Sequence, residues 1–432
     1  MSTKRRIIQG IGANGVGHAV TILIQFVSVP ILMHAWGIKL YGEWVMLSAI
    51  PSYLALSDIG LSMVAGNSLA LMAEKGDARE MQAIYQSTWV MVSALSMGVL
   101  LLAMSVIWFA SPAPLLGLTR ISSRTLDWTL LFLFLYMAFS MQSGILRLPF
   151  KALKKNPLAA AVVNLIRLGE WIAGTAVALA GGGVVLVAMA FMLGRVVGNV
   201  SFGILVSRSQ SSLRIGVRHA RLRTIRSLLR PSLASMCFPL GLSLTIQGFV
   251  LLVGGTIGSV AVAVFSIYRT FTRIPIQLAT AVNRAVWPEL SYAAGAAQIT
   301  KARRLVMDML LSGILLSIVS FVAVYFFGTD MIDFWVRKTL AHNSALLLGL
   351  ALAASVHVLW QPYWVALMAT NLHTRFALAF LVISASSLVL GWIFLRGAGL
   401  PGVGYAILVG ELLLSVAAYY SYYRNFRALE YA

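Results

Sequence analysis

The chain of 432 residues is divided almost end to end into apolar runs of about 20 residues. No other feature constrains its fold as tightly. A helix of ~20 apolar residues crosses the hydrocarbon of a bilayer, where every backbone polar group must bond within the segment. Apolar residues make up 59% of the chain and charged residues 11%, whereas soluble domains carry about 25% charged residues. The pattern predicts an all-α polytopic membrane protein. Twelve helices are expected, near 10–36, 41–69, 84–110, 128–150, 157–180, 184–207, 232–256, 260–288, 305–328, 342–369, 375–396 and 401–423. Glycines at Gly181-Gly182-Gly183 and Gly258 mark two tight hairpin turns between them.

The net charge of +20 would point to nucleic acid in a soluble protein. Here the charges sit mostly in short connections, and no aromatic-plus-basic RNA motif accompanies them, so no nucleic-acid partner is expected. With the N-terminus inside, 21 of the 33 Lys and Arg residues fall in inside segments, 6 outside and 6 within spans. The positive-inside rule therefore predicts N-in and C-in. Lys4-Arg5-Arg6 precedes a run that is long, broken by Asn14 and His18, and without a plausible cleavage site. It is expected to be the first helix rather than a cleaved signal. The single cysteine, Cys237, lies in a span and excludes an intrachain disulfide.

The longest connection, "SRSQSSLRIGVRHARLRTIRSLLRP", divides the spans six and six. The expected organisation is a bundle over 1–207, a basic linker over 208–231 and a second bundle over 232–432. Even-numbered halves start on the same side, so they would form a parallel repeat. Within the linker, Leu222, Ile225 and Leu229 alternate with arginines at helical spacing. That suits an amphipathic helix on an anionic inner leaflet, and equally a solvated linker.

Charged residues inside spans are costly and commonly face a bundle interior or a watery cavity. At about 100° per residue, Arg269, Arg273, Gln277, Thr280, Asn283 and Arg284 share one face of the eighth helix. Two neighbouring guanidiniums repel unless an anion is present, and no acid lies one turn away on that helix. Asn14, His18, Thr21, Gln25 and Ser28 form a similar stripe on the first. Arg167 and Glu170, three apart in the fifth helix, can pair along one face. Arg195 lies mid-span in the sixth. The candidate anion-binding set is thus Arg269, Arg273, Arg167, Arg195, Gln277, Thr280, Asn283, Asn14 and Gln25. Candidates for coupling H+ or Na+ are Asp58, Glu170, Glu411 and His18, the last having a side chain that titrates near neutrality.

The chain has no Walker A motif, no His/Cys cluster at metal spacing and no Gly-x-Ser-x-Gly. No enzyme chemistry, cofactor or metal is expected, and a non-enzymatic transporter is favoured.

The opening "GIGANGVGHAVTILIQFVSVPILMHAWGIKLYGEWVMLSAIPSYLALSDIGL" resembles polysaccharide transporters of the multidrug/oligosaccharidyl-lipid/polysaccharide flippase superfamily. The matching features are Gln25 with Pro30, the turn around Gly37, Tyr41 and Gly42, and Asp58 with Gly60. The later "YRTFTRIPIQLATAVNRAVWPELS" resembles the eighth helix of that group. The resemblance is strongest over 10–65 and 265–292. It implies an O-antigen-type flippase of a bacterial inner membrane, carrying undecaprenyl-pyrophosphate-linked oligosaccharide outward by alternating access of two six-helix bundles around a cationic central cavity. Other polysaccharide-assembly proteins would be its partners. The related lipid II flippases typically have fourteen spans, against twelve expected here. Arginine is suited to such a substrate because its fork binds phosphate oxygens in pairs. Two other readings stand beside this one: a cation-coupled multidrug exporter of the same superfamily, disfavoured by the excess of mid-span Arg over acids, and a membrane glycan polymerase or ligase.

Overall fold

The computed structural model describes residues 3–55, 58–110, 117–153, 155–209, 213–296, 298–337, 340, 342–370 and 372–430. Among these, all regular structure is helical, and ten helices are long and apolar enough to cross a membrane. The chain is thus a multi-pass membrane protein. It divides into two compact units, Met1–Leu240 and Gly241–Ala432. The basic linker, expected to separate two bundles, groups with the first unit.

In the first unit, α1 (Thr3–Ala55) joins two expected spans in one element, with a kink at Gly37, φ 71 and ψ 172. That backbone conformation suits glycine, which has no Cβ to clash. There follow α2 (Asp58–Lys75), α3 (Ala78–Ala110), α4 (Ser123–Leu146), α5 (Leu148–Ala152), α6 (Asn156–Leu179), α7 (Val184–Ser209) and α8 (Leu222–Ser235). The turn between α6 and α7 falls at the expected glycines, with Gly181 at φ 85.

Lipid provides no hydrophobic drive between helices, so close packing relies on small residues and interhelical polar bonds. In α7, Gly194 and Gly198 form a small-xxx-small stripe against α6. A Cβ on Gly194 would lie 2.9 Å from the Glu170 Cα, and one on Gly198 would lie 2.5 Å from the Ile166 Cγ2. This close approach brings α6 and α7 together at the depth where their charged residues lie.

The linker is tied along α3. Gln82 donates to the Arg214 carbonyl at 2.8 Å and accepts from the Arg214 N–H at 3.0 Å. Gln86 accepts from the His219 N–H at 2.6 Å, and Ser87 from the Arg221 N–H at 3.0 Å. The C-terminal part of the linker forms α8, which packs on α2 and α3. It buries Thr224, Leu228 and Ser232 while Leu222, Leu229 and Leu233 stay exposed.

A short helix, α9 (Cys237–Ser243), crosses the division between the units. The second unit continues with a π-helical turn (Leu244–Gly248), α10 (Phe249–Thr256), α11 (Ser259–Thr272), α12 (Ile274–Gly295), α13 (Ile299–Val336), α14 (Ser344–Ala369), α15 (Thr374–Ala398) and α16 (Leu400–Glu430). The expected eighth span is therefore two helices, broken at Arg273. Pro275 sits in the first turn of α12, where its missing N–H costs nothing. Inside one continuous helix it would have removed a hydrogen bond and clashed with the preceding turn. The broad apolar faces of α14 and α16 pack on each other, and α16 packs on α15.

Candidate functional site

Each unit holds a polar cluster among its membrane helices. In the first, Arg195 of α7 donates to Glu170 of α6 at 2.6 Å. Both side chains are buried, at 8% and 4% exposure. Tyr136 of α4 donates to the same carboxylate oxygen at 2.8 Å, and Arg195 reaches the Tyr136 hydroxyl at 3.1 Å. The guanidinium also lies over the Tyr136 ring, 5.2 Å from its centroid. Ser143 and Asn199 extend the cluster through a 2.6 Å bond, and Asn199 donates to the Phe139 carbonyl at 2.6 Å. These bonds offset part of the pair's desolvation, while Glu170 Oε2 and Arg195 Nε stay buried without a hydrogen-bond partner among the described residues.

Glu170 thus pairs across helices with Arg195, not along its own helix with Arg167. Arg167 is exposed and donates to Thr21 Oγ1 at 2.8 Å. One turn on, Trp171 donates to Ser28 at 2.7 Å. Two residues of the polar stripe expected on the first helix, Thr21 and Ser28, therefore lie at the seam between α1 and α6. Gln25 lies outside these bonds and is exposed. Asn14, His18 and Asp58 have side chains outside the described part of the structure.

In the second unit, the Arg269 guanidinium donates to the carbonyl of Ile246 in the π turn and lies over the Phe265 ring, 5.0 Å from its centroid. A π turn shifts the pairing of carbonyls with amides, and such turns recur at functional positions. Arg273 occupies the break between α11 and α12 and is partly exposed. Among the described residues no hydrogen bond holds its guanidinium, and Glu411 of α16 is the acid that acts on it electrostatically. Glu411 is itself engaged from α14. Both its oxygens lie 3.1 Å from His357 Nδ1, and Trp360 donates to Oε2 at 2.7 Å.

The remaining candidates on α12 do not share a free face with the arginines. Asn283 donates to Gln361 of α14 at 3.0 Å, and Gln361 donates to Thr280 at 2.7 Å. Gln277 is half-buried and Arg284 exposed. The structure thus pairs Glu170 with Arg195 and joins Thr280 with Asn283 through Gln361, while Glu411 acts on Arg273 by charge alone. Periodicity missed Tyr136, His357, Trp360 and Gln361. Polar residues in the mid-span run "HVLWQP" were the signal for the last three.

Among the described residues no group of three or more His, Cys, Asp or Glu side chains is arranged to hold a metal. The chemistry on offer is hydrogen bonding, charge attraction and proton exchange at a carboxylate–imidazole pair.

No protein-family profile and no curated protein sequence matches the chain. Solved structures match it along almost its whole length. An inward-facing multidrug resistance MATE family transporter of the MOP superfamily aligns with a TM-score of 0.74 at 15% identity, over 95% of this chain and 99% of that one. The lipid II flippase MurJ, in an inward closed conformation, aligns with a TM-score of 0.67 at 15% identity, over 96% and 87%. A MOP superfamily transporter from Pyrococcus furiosus, described as having a binding pocket of reverse polarity that suggests a different function, gives 0.65 at 15% identity, over 100% and 97%. The chain has the fold of these transporters.

Proposed function

We propose that the protein is a flippase for a lipid-linked oligosaccharide bearing a phosphate or pyrophosphate, of the kind represented by undecaprenyl-pyrophosphate-linked repeats of surface polysaccharide in a bacterial inner membrane. The observation that carries this is Arg273: a partly exposed guanidinium in a helix break that no hydrogen bond holds among the described residues, and Glu411, the acid that acts on it by charge, is already held by His357 and Trp360. In the first unit, taken by itself, Arg167 is an exposed cation held by a neutral hydroxyl. After Glu170 and Arg195 have paired, positive charge remains in surplus, and an anionic head group satisfies it. Arginine then binds phosphate oxygens in a fork, while hydroxyl and amide side chains suit sugar hydroxyls. The twelve-span count, N-in and C-in orientation and alternating access belong to this proposal. So do contacts with other assembly proteins, and coupling to H+ or Na+ through Glu411, Glu170, Asp58 or His18.

A second reading, a cation-coupled multidrug exporter, has one observation in its favour. Glu411 sits with Trp360, which packs on Phe376 and Phe380 at 5.7 and 6.2 Å. An acid among aromatic rings is what an organic cation seeks. Reconstituted vesicles separate the two. The flippase reading expects a defined undecaprenyl-pyrophosphate oligosaccharide to gain access to the opposite leaflet, with and without an imposed ion gradient. Gradient-driven export of organic cations with no movement of the glycolipid would overturn it in favour of the exporter.

A further inference from the structure

A second feature of the first unit has no part in the proposed transport. Between α3, α4 and α7 lies a cavity of about 470 Å³, lined by Trp89, Met97, Leu135, Phe139, Val200 and Gly203, with Ile215 of the linker at one end. Its lining is overwhelmingly apolar. Most polar groups that reach it are engaged within the bundle: Ser96 bonds the Val92 carbonyl, Asn199 the Phe139 carbonyl, and Gln142 Nε2 donates to Ser93, while Gln142 Oε1 is buried without a partner among the described residues. Met97 and Val200 are more than half exposed, so the cavity is a groove open to the hydrocarbon rather than an interior void.

Its dimensions and its charged end define what fits. From Trp89 to Leu100 the groove follows α3 for ~16 Å at 1.5 Å per residue. One leaflet of a ~30 Å hydrocarbon core is about as deep. At the linker end, Ile215 lies beside Arg214 and three residues before Arg218, and Arg208 is in the last turn of α7. All three arginines are exposed. The linker is held at this place by the bonds from Gln82 and Gln86, so the basic end is a fixed part of the groove. Gly203 keeps the groove open, since a Cβ built there meets nothing within 4 Å. Glycine inside a helix costs about 1 kcal/mol relative to alanine, and here its effect is to leave space.

We propose that this groove is a binding site for one anionic phospholipid, with an acyl chain along α3, α4 and α7 and its phosphate among Arg208, Arg214 and Arg218. Charge complementarity singles out this occupant: the chain contributes an apolar channel of leaflet depth, and Arg208, Arg214 and Arg218 are exposed at its end, while the nearby Glu80 is already paired with Arg221.

Native mass spectrometry of the full-length protein in detergent tests it, with phosphatidylglycerol and phosphatidylcholine of identical chains offered together. The wild type is expected to keep one phosphatidylglycerol in preference to phosphatidylcholine. Gly203→Phe, whose Cβ meets nothing within 4 Å and whose ring would occupy the groove, should weaken that adduct roughly tenfold or more. Val200→Trp should do the same from the groove mouth. Arg208→Gln, Arg214→Gln and Arg218→Gln together should abolish the preference for phosphatidylglycerol while an acyl lipid still binds. Undiminished adducts in both groove-filling variants overturn the site, and equal binding of the two lipids by the wild type overturns the head-group assignment. Retention of a polyprenyl lipid in place of phospholipid overturns the choice of occupant. Unchanged thermal unfolding of Gly203→Phe separates loss of the lipid from loss of the fold.

Discussion

Glu170 and Arg195 meet at 2.6 Å across α6 and α7, both buried, with Tyr136 bonded to each. A partner on the next helix answers a charge that no neighbour on its own helix answers. Removing one member leaves the other buried and uncompensated. Glu170→Met or Arg195→Met alone is therefore expected to lower stability by about 3–5 kcal/mol, and the double variant to recover most of the loss. Unfolding in detergent measures it. A double variant no more stable than the worse single one would show that the pair is not the interaction being lost.

Arg273 is expected to behave differently. Arg273→Ala should leave folding nearly intact, since no hydrogen bond holds the guanidinium among the described residues, yet abolish glycolipid flipping in vesicles. Arg273→Lys should restore a fraction, because an ammonium keeps the charge and loses the fork. Full activity in Arg273→Ala would remove this residue from the site.

The bond from Arg269 to the Ile246 carbonyl gives that arginine a structural duty as well. Arg269→Ala should lose both stability and flipping, and Arg269→Lys should recover stability more fully than flipping. Thermal melting and vesicle assays on the same preparations separate the two effects.

At Glu411 the expectation concerns coupling. Glu411→Gln keeps a side chain of similar shape that His357 and Trp360 can still bond, but it cannot take part in proton exchange. Flipping down a concentration gradient should persist, while acceleration by an imposed pH gradient disappears. Gradient-driven acceleration equal to that of the wild type would exclude Glu411 as the coupling group.

Two glycines five residues apart on α7 should respond in opposite ways. Gly198→Leu has no room against Ile166 and should cost several kcal/mol or prevent folding, as overpacking does. Gly203→Ala meets open space and should be neutral or stabilise by up to about 1 kcal/mol. Thermal unfolding of the two variants side by side is sufficient to test this.

What was legible in the sequence was what depends on neighbours in the chain. Apolar run length placed the membrane helices, and the turns at Gly181 and Gly258 are present with φ of 85 and 113. A polar face could be assigned to the first helix, but not the helix that covers it: Thr21 and Ser28 meet Arg167 and Trp171, which are remote in sequence. The same limit explains why Glu170 was matched with Arg167 instead of Arg195. Pro275 signalled a bend in the eighth span, but a single projection of that span assumed that Arg269 and Asn283 share one helix axis. The break at Arg273 divides them, and Asn283 turns to Gln361.

The π turn at Leu244–Gly248 also bears on how this chain tolerates change in length. A turn widened in this way holds one residue more than the α-helical path through the same rise. Deleting a single residue from 244–248 would restore α-helical winding and leave the helix after it in the same register. Phe249, Val250 and Val253 would keep their buried positions, while the carbonyl that Ile246 presents to Arg269 would return to α-helical pairing. The same deletion inside a regular helix would rotate everything after it by about 100°. A one-residue deletion here should therefore spare the packing and act on Arg269.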